Sequence, residues 1–139
     1  MHIVLDTNVL VSALLSPASF PARILALVLA GRVALCVDAR ILDEYEDVLS
    51  RPEFGFDAER VRDLIEFITR EALPVQGVPS PVAGPDAEDM PFVEVCLAGP
   101  ANCVVTGNFK HFPPSIQSVV KVMSPKEFVD MFVRGDPTV

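Results

Sequence analysis

Apolar residues occur along the chain either as short runs or at helical spacing, and the two patterns predict strands and helices in alternation. Residues 3–5 and 33–37 are short apolar runs typical of buried strands. Between residues 58 and 73 the apolar positions recur every three or four residues with charges between them, which predicts a helix with a solvated outer face. Across the chain the pattern predicts strands over 3–5, 33–37, 103–106 and 119–122, a brief strand near Val75 and Val78, and helices over 9–15, 22–30, 39–50, 58–73, 90–98 and from 125 to about 133.

Capping residues mark several of these helix ends. Asp38 and Asp57 stand where N-caps are expected, and Gly31 stands at a C′ position. Ser124-Pro125-Lys126-Glu127 forms a capping box with proline at the first helical position. The prolines and glycines of segment 74–85 predict a loop.

Strands that alternate with helices predict an α/β fold in which right-handed crossovers join parallel strands. The 139 residues suffice for one core and are too few for two ordinary domains, so we expect a single domain over 1–139. Ligands of such folds bind beyond the carboxyl ends of the strands, where the strand order reverses. Polar residues that directly follow strands are therefore the candidates for function.

The amino-acid composition predicts the environment of the protein and the state of its cysteines. Half of the residues are hydrophobic and the mean hydropathy is +0.40, which suggests apolar surface covered by a partner or a second copy. The longest apolar run, 24–30, is shorter than the roughly 20 residues of a membrane span. With no signal-peptide pattern at the N-terminus, we expect a cytoplasmic protein. Cys36, Cys96 and Cys103 lie in apolar segments without metal-site spacing, which predicts buried reduced thiols.

The formal net charge of -8 argues against binding to polyanions through the overall field of the protein. An acidic excess also arises where several carboxylates are gathered to hold cations. Their positions in the chain decide whether that explanation applies here.

Several acidic and amide side chains directly follow predicted strands or precede a predicted helix. Asp6 follows the first strand, Thr106-Gly107-Asn108 follows a later one, and Asp86, Glu88 and Asp89 precede a helix. On the helix after the second strand, Glu44 and Glu46 flank opposite edges of the apolar face, and helical geometry does not choose between them.

Converging carboxylates repel one another and lose solvation, so a cluster of them usually holds a hard cation. Mg2+ fits oxygen ligands best, and two such ions about 3.5–4 Å apart can activate water and stabilise the leaving oxygen of a phosphodiester. That chemistry needs neither histidine nor cysteine, and the chain has only His2 and His111.

Each of these residues also has a structural interpretation. Asp89 alone fits a helix N-cap, and Glu44 alone fits a solvated helix position. The Asn8 amide suits a bond to loop backbone. Asp6 differs because a strand-end carboxylate in a hydrophobic frame, with Thr7 beside it, favours function.

Five segments in order, LDTNVLVSALLSP, LDEYEDVLSRPEF, PDAEDMPFVEVCLAG, VVTGNFKHFPP and VMSPKEF, together resemble the PIN-domain family. Within it the chain is similar to the toxin branch related to VapC-type ribonucleases of toxin-antitoxin modules. The resemblance implies a three-layer α/β/α fold with a central, mainly parallel sheet of four to five strands. It also implies a homodimer or higher homo-oligomer, an antitoxin partner, and Mg2+- or Mn2+-dependent cleavage of single-stranded RNA.

Carried over by position, the resemblance makes Asp6, Glu44 and Asp89 catalytic metal ligands and so favours Glu44 over Glu46. Asp86 becomes an auxiliary metal ligand. Asn108 becomes a catalytic residue at a position where many relatives carry aspartate, and Glu88 and Ala87 stand where relatives often have aspartate and proline. The support positions near the metal are Thr7, Asn8 and Thr106.

Substrate contact requires Lys or Arg near the site, because phosphate contacts dominate nucleic-acid affinity. Arg51 and Lys110 are the predicted substrate-binding residues, with His111 and Arg23 as further candidates.

Three other classes share part of this pattern. A haloacid-dehalogenase-type phosphatase uses a strand-end aspartate as its nucleophile and has a second acidic residue two positions later. In this chain that second position is Asn8, which is not acidic. A phosphoryl-aspartate receiver module lacks support because the acidic pair expected after its first strand is missing. A non-catalytic PIN-like scaffold is favoured by Asn108 and the net charge and opposed by the retained carboxylates.

Overall fold

The computed structural model describes residues 1–84 and 86–135, so Pro85, the last residue of the predicted loop, and the end of the predicted domain at 136–139 lie outside it. The strands are β1 His2–Leu5, β2 Ala34–Val37, β3 Leu73–Pro74, β4 Val104–Val105 and β5 Val122–Met123. The helices are α1 Thr7–Leu15, α2 Phe20–Leu29, α3 Ala39–Leu49, α4 Ala58–Glu71, α5 Met90–Ala98, α6 Pro114–Gln117 and α7 Pro125–Gly135, with 3-10 turns at Pro52–Phe54 and Phe109–His111.

The five strands form one sheet in the order β3-β2-β1-β4-β5, and every neighbouring pair is parallel. The chain runs outward from β1 through β2 to β3 and then returns to place β4 on the other side of β1. The strand order therefore reverses between β1 and β4. With the helices packed on the sheet, the described residues form the predicted three-layer α/β/α fold.

The central strands are buried on both faces, as a parallel sheet between helices requires. Ile3, Val4 and Leu5 of β1 are almost inaccessible to solvent. Helix α3 turns Ile41 and Tyr45 into the same core and leaves its acidic residues on the outer side or at the edge. The pattern of apolar positions thus predicted the buried faces of α3 and α4.

Several helix caps have the predicted geometry. The Asp38 side chain accepts a hydrogen bond from the Ile41 amide at 3.0 Å, and Gly31 has a left-handed φ of +74°. In the capping box the Ser124 amide donates to Glu127 Oε1 at 2.9 Å, and the Glu127 amide donates to Ser124 Oγ at 3.1 Å.

Two predicted strands are displaced in the structure. Strand β3 is Leu73–Pro74 rather than a pair around Val75 and Val78, and its proline is tolerated because β3 is an edge strand. The strand predicted over 119–122 begins only at Val122. The segment before it belongs to the end of helix α6, which was not predicted, and the Val120 amide still donates to the Ile116 carbonyl at 3.1 Å. Short apolar runs do not distinguish a strand from the end of a helix.

The cysteines agree with the prediction, since Cys36, Cys96 and Cys103 are buried free thiols. Among the described helices, none has by itself the length and apolar composition needed to cross a bilayer; α1 and α2 meet those criteria only as a pair, bent by 101°.

A buried hydrogen bond ties α3 to the carboxyl end of β1. The hydroxyl of Tyr45, which has no exposed surface, donates to the Leu5 carbonyl at 2.5 Å. Because Tyr45 is held at this point, its neighbour Glu44 is held near the residue that follows Leu5.

We expect Tyr45→Phe to lower the free energy of unfolding by about 1–2 kcal/mol, because the buried Leu5 carbonyl loses this donor. Urea unfolding followed by far-UV circular dichroism measures the change. Ser118→Ala, which removes an exposed hydrogen bond to the Ser115 carbonyl, is the control and should change stability by under about 0.5 kcal/mol. An unchanged midpoint in Tyr45→Phe would contradict the assigned role of the hydroxyl.

Candidate metal centre

The reversal of strand order brings two polar residues together from opposite ends of the chain. Leu5 of β1 pairs with Val105 of β4, so Asp6 and Thr106 follow at the same edge of the sheet. The Thr106 hydroxyl donates to Asp6 Oδ2 at 2.8 Å, and both residues are buried. The predicted support position and the predicted ligand therefore meet.

Asn8 links the loops that follow β1 and β4. Its Nδ2 donates to Asp6 Oδ2 at 3.2 Å, while its Oδ1 accepts from the Gly107 amide at 3.1 Å. The structural interpretation of the amide therefore agrees with the geometry. By holding both loops, Asn8 restricts the position of the Asp6 carboxylate.

Helix α3 brings a second carboxylate to the same region. The Thr7 hydroxyl donates to Glu44 Oε2, so the residue after Asp6 is joined directly to Glu44. Glu46, the alternative that helical geometry left open, is exposed and lies beside Phe56 and the start of α4. The structure thus brings Glu44, and not Glu46, to the end of β1.

The structure contradicts the interpretation of Asp89 as a helix cap. Asp89 stands at the N-cap position of α5, yet its side chain makes no capping hydrogen bond. The residue is 8% exposed, and its Oδ2 is buried without a hydrogen-bond partner among the described residues. His111 Nδ1 lies 3.5 Å from this oxygen, which is too long for a good hydrogen bond.

Asp86, Asp89 and His111 offer ligand atoms that all lie within 4.8 Å of one another. Asp6 and Glu44 are not members of this tight group. They are nevertheless near enough that their negative charges raise the pKa of Asp89. The acidic region therefore has a compact part on the α5 side and a second part at the end of β1.

Burial raises the pKa of Asp6, Glu44 and Asp89, the three predicted catalytic metal ligands. For Asp6 the pKa lies above 3.8 because desolvation outweighs the opposing hydrogen bond from Thr106. For Glu44 the pKa is raised first by desolvation and then by the charge of Asp6. For Asp89 desolvation is again the main cause and raises the pKa to about 6.

These features fit a divalent cation. A buried carboxylate oxygen without a donor is costly, and mutually repelling carboxyls resist ionisation. A hard cation that accepts oxygen ligands removes both penalties. The residues at this site therefore suit a divalent metal ion.

Asn108 is engaged within its own loop. Its Oδ1 accepts from the Lys110 amide at 3.1 Å and caps the 3-10 turn Phe109–His111, and its Nδ2 lies 3.2 Å from His111 Nε2. Both ends of the amide thus have partners inside the turn that carries His111.

The predicted phosphate-binding residues have different surroundings. Arg51 is exposed and pairs with Asp47 at 3.2 Å, and its charge lowers the pKa of Glu44. Lys110 is exposed on the turn beside His111. The Arg23 guanidinium lies 5.6 Å from the centre of the Phe20 ring, on helix α2. The charge of Arg51 thus acts on Glu44 and Lys110 is next to His111 in the chain, whereas the structure does not bring Arg23 to the acidic region.

The sequence did not predict the hydrogen bond of Tyr45 to the end of β1 or the position of His111 beside Asp89. The apolar pattern predicts for Tyr45 only a place in the core, although its position next to Glu44 in the chain is a usable signal. His111 was considered only as a phosphate contact. Its approach to Asp89 depends on how the turn after β4 meets the start of α5, and no local pattern indicates it.

An all-parallel α/β sheet with acidic side chains near the point where its strand order reverses defines an α/β protein with a candidate metal site at that edge. A family model described as PIN domain matches residues 2–110, and the chain belongs to the PIN-domain family. PIN domains are generally nucleases and usually bind divalent metal ions. No curated protein and no solved structure matches the chain.

We expect Asp89→Asn to stabilise the metal-free protein at neutral pH. The pKa of Asp89 is raised from 3.8 to about 6 in the folded protein, so the fold favours the protonated carboxyl. The stability that this carboxyl contributes is complete below pH 3.8 and is lost as the pH rises through about 6. In EDTA the variant should therefore melt a few degrees above the wild type at about pH 7.5, and the difference should shrink by about pH 4.5.

Differential scanning fluorimetry across this pH range measures the effect. Asp43→Asn removes the same charge from an exposed position of α3 and should show no such pH-dependent difference. If Asp89→Asn were less stable than the wild type at about pH 7.5, the folded protein would stabilise the ionised carboxylate, and the expected repulsion at this site would be wrong.

Proposed function

We propose that the protein is a Mg2+- or Mn2+-dependent endoribonuclease that hydrolyses phosphodiester bonds of single-stranded RNA. The observation that carries this proposal is the buried Oδ2 of Asp89, which has no hydrogen-bond partner within residues 1–84 and 86–135 and lies in a field set by Asp6, Asp86 and Glu44. The membership of the chain in a family that is generally nucleolytic supports the same conclusion.

In this proposal Asp6, Glu44 and Asp89 hold the metal, and Asp86 is an auxiliary ligand at the exposed edge. The hydrogen bonds from Thr106 and Asn8 to Asp6 support this arrangement, as does the bond from Thr7 to Glu44. Because the donors belong to β-strand ends and to the first turn of α1, the carboxylates are held on rigid elements.

A bound divalent ion lowers the pKa of a water molecule and stabilises negative charge on phosphoryl oxygens. The reaction consists of attack by water on phosphorus and cleavage of one P–O bond, with a proton passing to the departing oxygen. We assign Lys110 and Arg51 to the flanking phosphates, since both are exposed cations beside the acidic region. We expect the Asn108 turn, which carries Lys110, to present that side chain to the substrate.

We also propose that the ribonuclease is the toxin of a toxin-antitoxin module and acts as a homodimer or higher homo-oligomer. The sequence similarity to the VapC-related branch supports the biological role. A mainly apolar groove of ≈ 620 Å³ supports a protein partner. Its lining includes Leu14, Leu25, Leu29, Phe56, Leu64 and Phe67, together with the charged residues Asp57, Arg60 and Asp63. We assign this groove to an apolar helix of the antitoxin, a second segment of which would place a basic side chain near the carboxylates.

One observation favours a non-catalytic scaffold as the second candidate. Asn108 is a neutral amide, and both ends of its side chain are occupied within the turn. A nucleic-acid or protein scaffold would keep this turn without needing a charged ligand there. The cleavage assay separates the two candidates.

We expect the purified protein to cleave single-stranded RNA only when Mg2+ or Mn2+ is present, and Asp6→Asn, Glu44→Gln and Asp89→Asn to lose that activity. Each change removes one charged ligand while the fold keeps a side chain of similar size. Gel electrophoresis of a labelled RNA after incubation with each ion, with EDTA as the metal-free reference, measures cleavage.

Glu46→Gln is the matched control for Glu44→Gln, because it makes the same change two residues away at an exposed position of α3. It should cleave like the wild type. Cleavage by Asp6→Asn at the wild-type rate would mean that the activity comes from a contaminant or from another site, and the scaffold would become the better explanation.

We expect the product of an adjoining small open reading frame to co-purify with the protein, and Leu29→Glu to prevent this without changing RNA cleavage. Leu29 lines the groove and is 49% exposed, so a charge there opposes an apolar helix. Leu15→Glu is the control, since Leu15 is 55% exposed and lies outside the groove lining. Equal co-purification by both variants would exclude the groove as the binding surface.

A further inference from the structure

We propose that His111 is a positioning residue that directs a protonated Nδ1 at Asp89, and that Asn108 fixes this tautomer of the imidazole. The inference rests on the proposed function, because it concerns how one predicted metal ligand is held. It gives both residues a role other than direct ligation.

The orientation of the Asn108 amide follows from the backbone. The Lys110 amide, which is always a donor, lies 3.1 Å from the side-chain atom that faces it. That atom must be the oxygen Oδ1, because a nitrogen there would oppose two donors. The amide nitrogen Nδ2 therefore faces His111.

The orientation of the amide decides which imidazole nitrogen accepts. Asn108 Nδ2 lies 3.2 Å from His111 Nε2 and can only donate, so Nε2 must offer its lone pair. A neutral imidazole has one protonated nitrogen, and the proton is therefore on Nδ1. The turn thus specifies one tautomer through a single amide.

The protonated nitrogen faces the carboxylate oxygen that lacks a partner. His111 Nδ1 is 3.5 Å from Asp89 Oδ2, and that oxygen is buried without a hydrogen bond among the described residues. The imidazole is 41% exposed whereas the Asp89 side chain is 12% exposed, so the histidine has more freedom to move. Hydrogen bonds of this kind are often long in a ligand-free site and shorten in the working complex.

A donor at this position orients the carboxylate, and because each carboxylate oxygen has two acceptor sites, Oδ2 remains able to bind a cation. Groups that hold ligands in this way typically contribute about 10–100-fold to metal affinity. Direct ligation by Nδ1 would instead require the proton to move to Nε2, where Asn108 offers no acceptor. The hydrogen-bond pattern therefore favours positioning over ligation.

The tautomer is tested on the unmodified protein by a long-range 1H–15N NMR spectrum of the histidine side chains. The chain has two histidines, and His2→Asn assigns their signals without touching the site. We expect His111 to show a protonated Nδ1 and an unprotonated Nε2. The opposite pattern in the wild type would overturn the proposal.

The role is tested by Mn2+ affinity, measured by electron paramagnetic resonance of the free ion. The amide nitrogen of asparagine occupies nearly the place of Nδ1, whereas that of glutamine occupies the place of Nε2. We therefore expect His111→Asn to bind Mn2+ within about threefold of the wild type, and His111→Gln and His111→Ala to bind about 10–100-fold more weakly.

Circular dichroism spectra of the three variants identify any that fail to fold, and the wild-type NMR measurement does not depend on them. Equal Mn2+ affinity in all three would overturn the positioning role. Coupling of the Mn2+ electron spin to an imidazole nitrogen in the loaded wild type would also overturn it, because His111 would then be a ligand.

The two proposals fail in different ways. If Asp6→Asn loses RNA cleavage while the His111 variants bind Mn2+ and cleave like the wild type, the nuclease assignment stands and the positioning role is wrong. If Asp6→Asn cleaves like the wild type but the NMR spectrum and the His111 series agree with expectation, the positioning role stands and the nuclease assignment is wrong.

Discussion

The parallel pairing of β1 with β4 is the constraint on which the rest of the site depends. It places residues 100 positions apart, Asp6 and Thr106, within a 2.8 Å hydrogen bond at the edge of a buried sheet. The loops that follow these strands are then joined through Asn8, and the Tyr45 hydroxyl fixes α3 to the end of β1. A change that displaced β4 would separate the carboxylate from its donor and from the turn that carries His111.

The fold keeps its carboxylates together against electrostatic cost. Asp6, Glu44 and Asp89 come from separate elements, and burial raises the pKa of each one above its ordinary value. Hydrogen bonds from neutral groups offset part of this cost at Asp6 and Glu44. In the part of the chain that the structure describes, the buried Oδ2 of Asp89 has no such bond, so the desolvation cost of Asp89 is the one that a bound cation would reduce most.

The net charge of -8 and the proposed RNA substrate are reconciled by where the charges lie. Exposed acidic residues lie on the outer face of α3, whereas the charge of Arg51 acts on Glu44 and Lys110 is next to His111 in the chain. Few phosphate contacts imply modest affinity with a shallow salt dependence. A divalent ion bound by the carboxylates would supply positive charge that the side chains lack.

The sequence by itself determined the layers of the fold, the faces of the long helices and the strand-end placement of Asp6, because these follow from local periodicity and from the rule for parallel sheets. It did not determine β3, β5 or α6, since short apolar runs fit strands and helix ends equally well. The choice of Glu44 over Glu46 needed the family resemblance and became visible in the fold through Thr7. Only the tertiary structure decided that Asp89 is not a capping residue and that His111 faces it, because both facts depend on contacts between α5 and a turn that are distant in the chain.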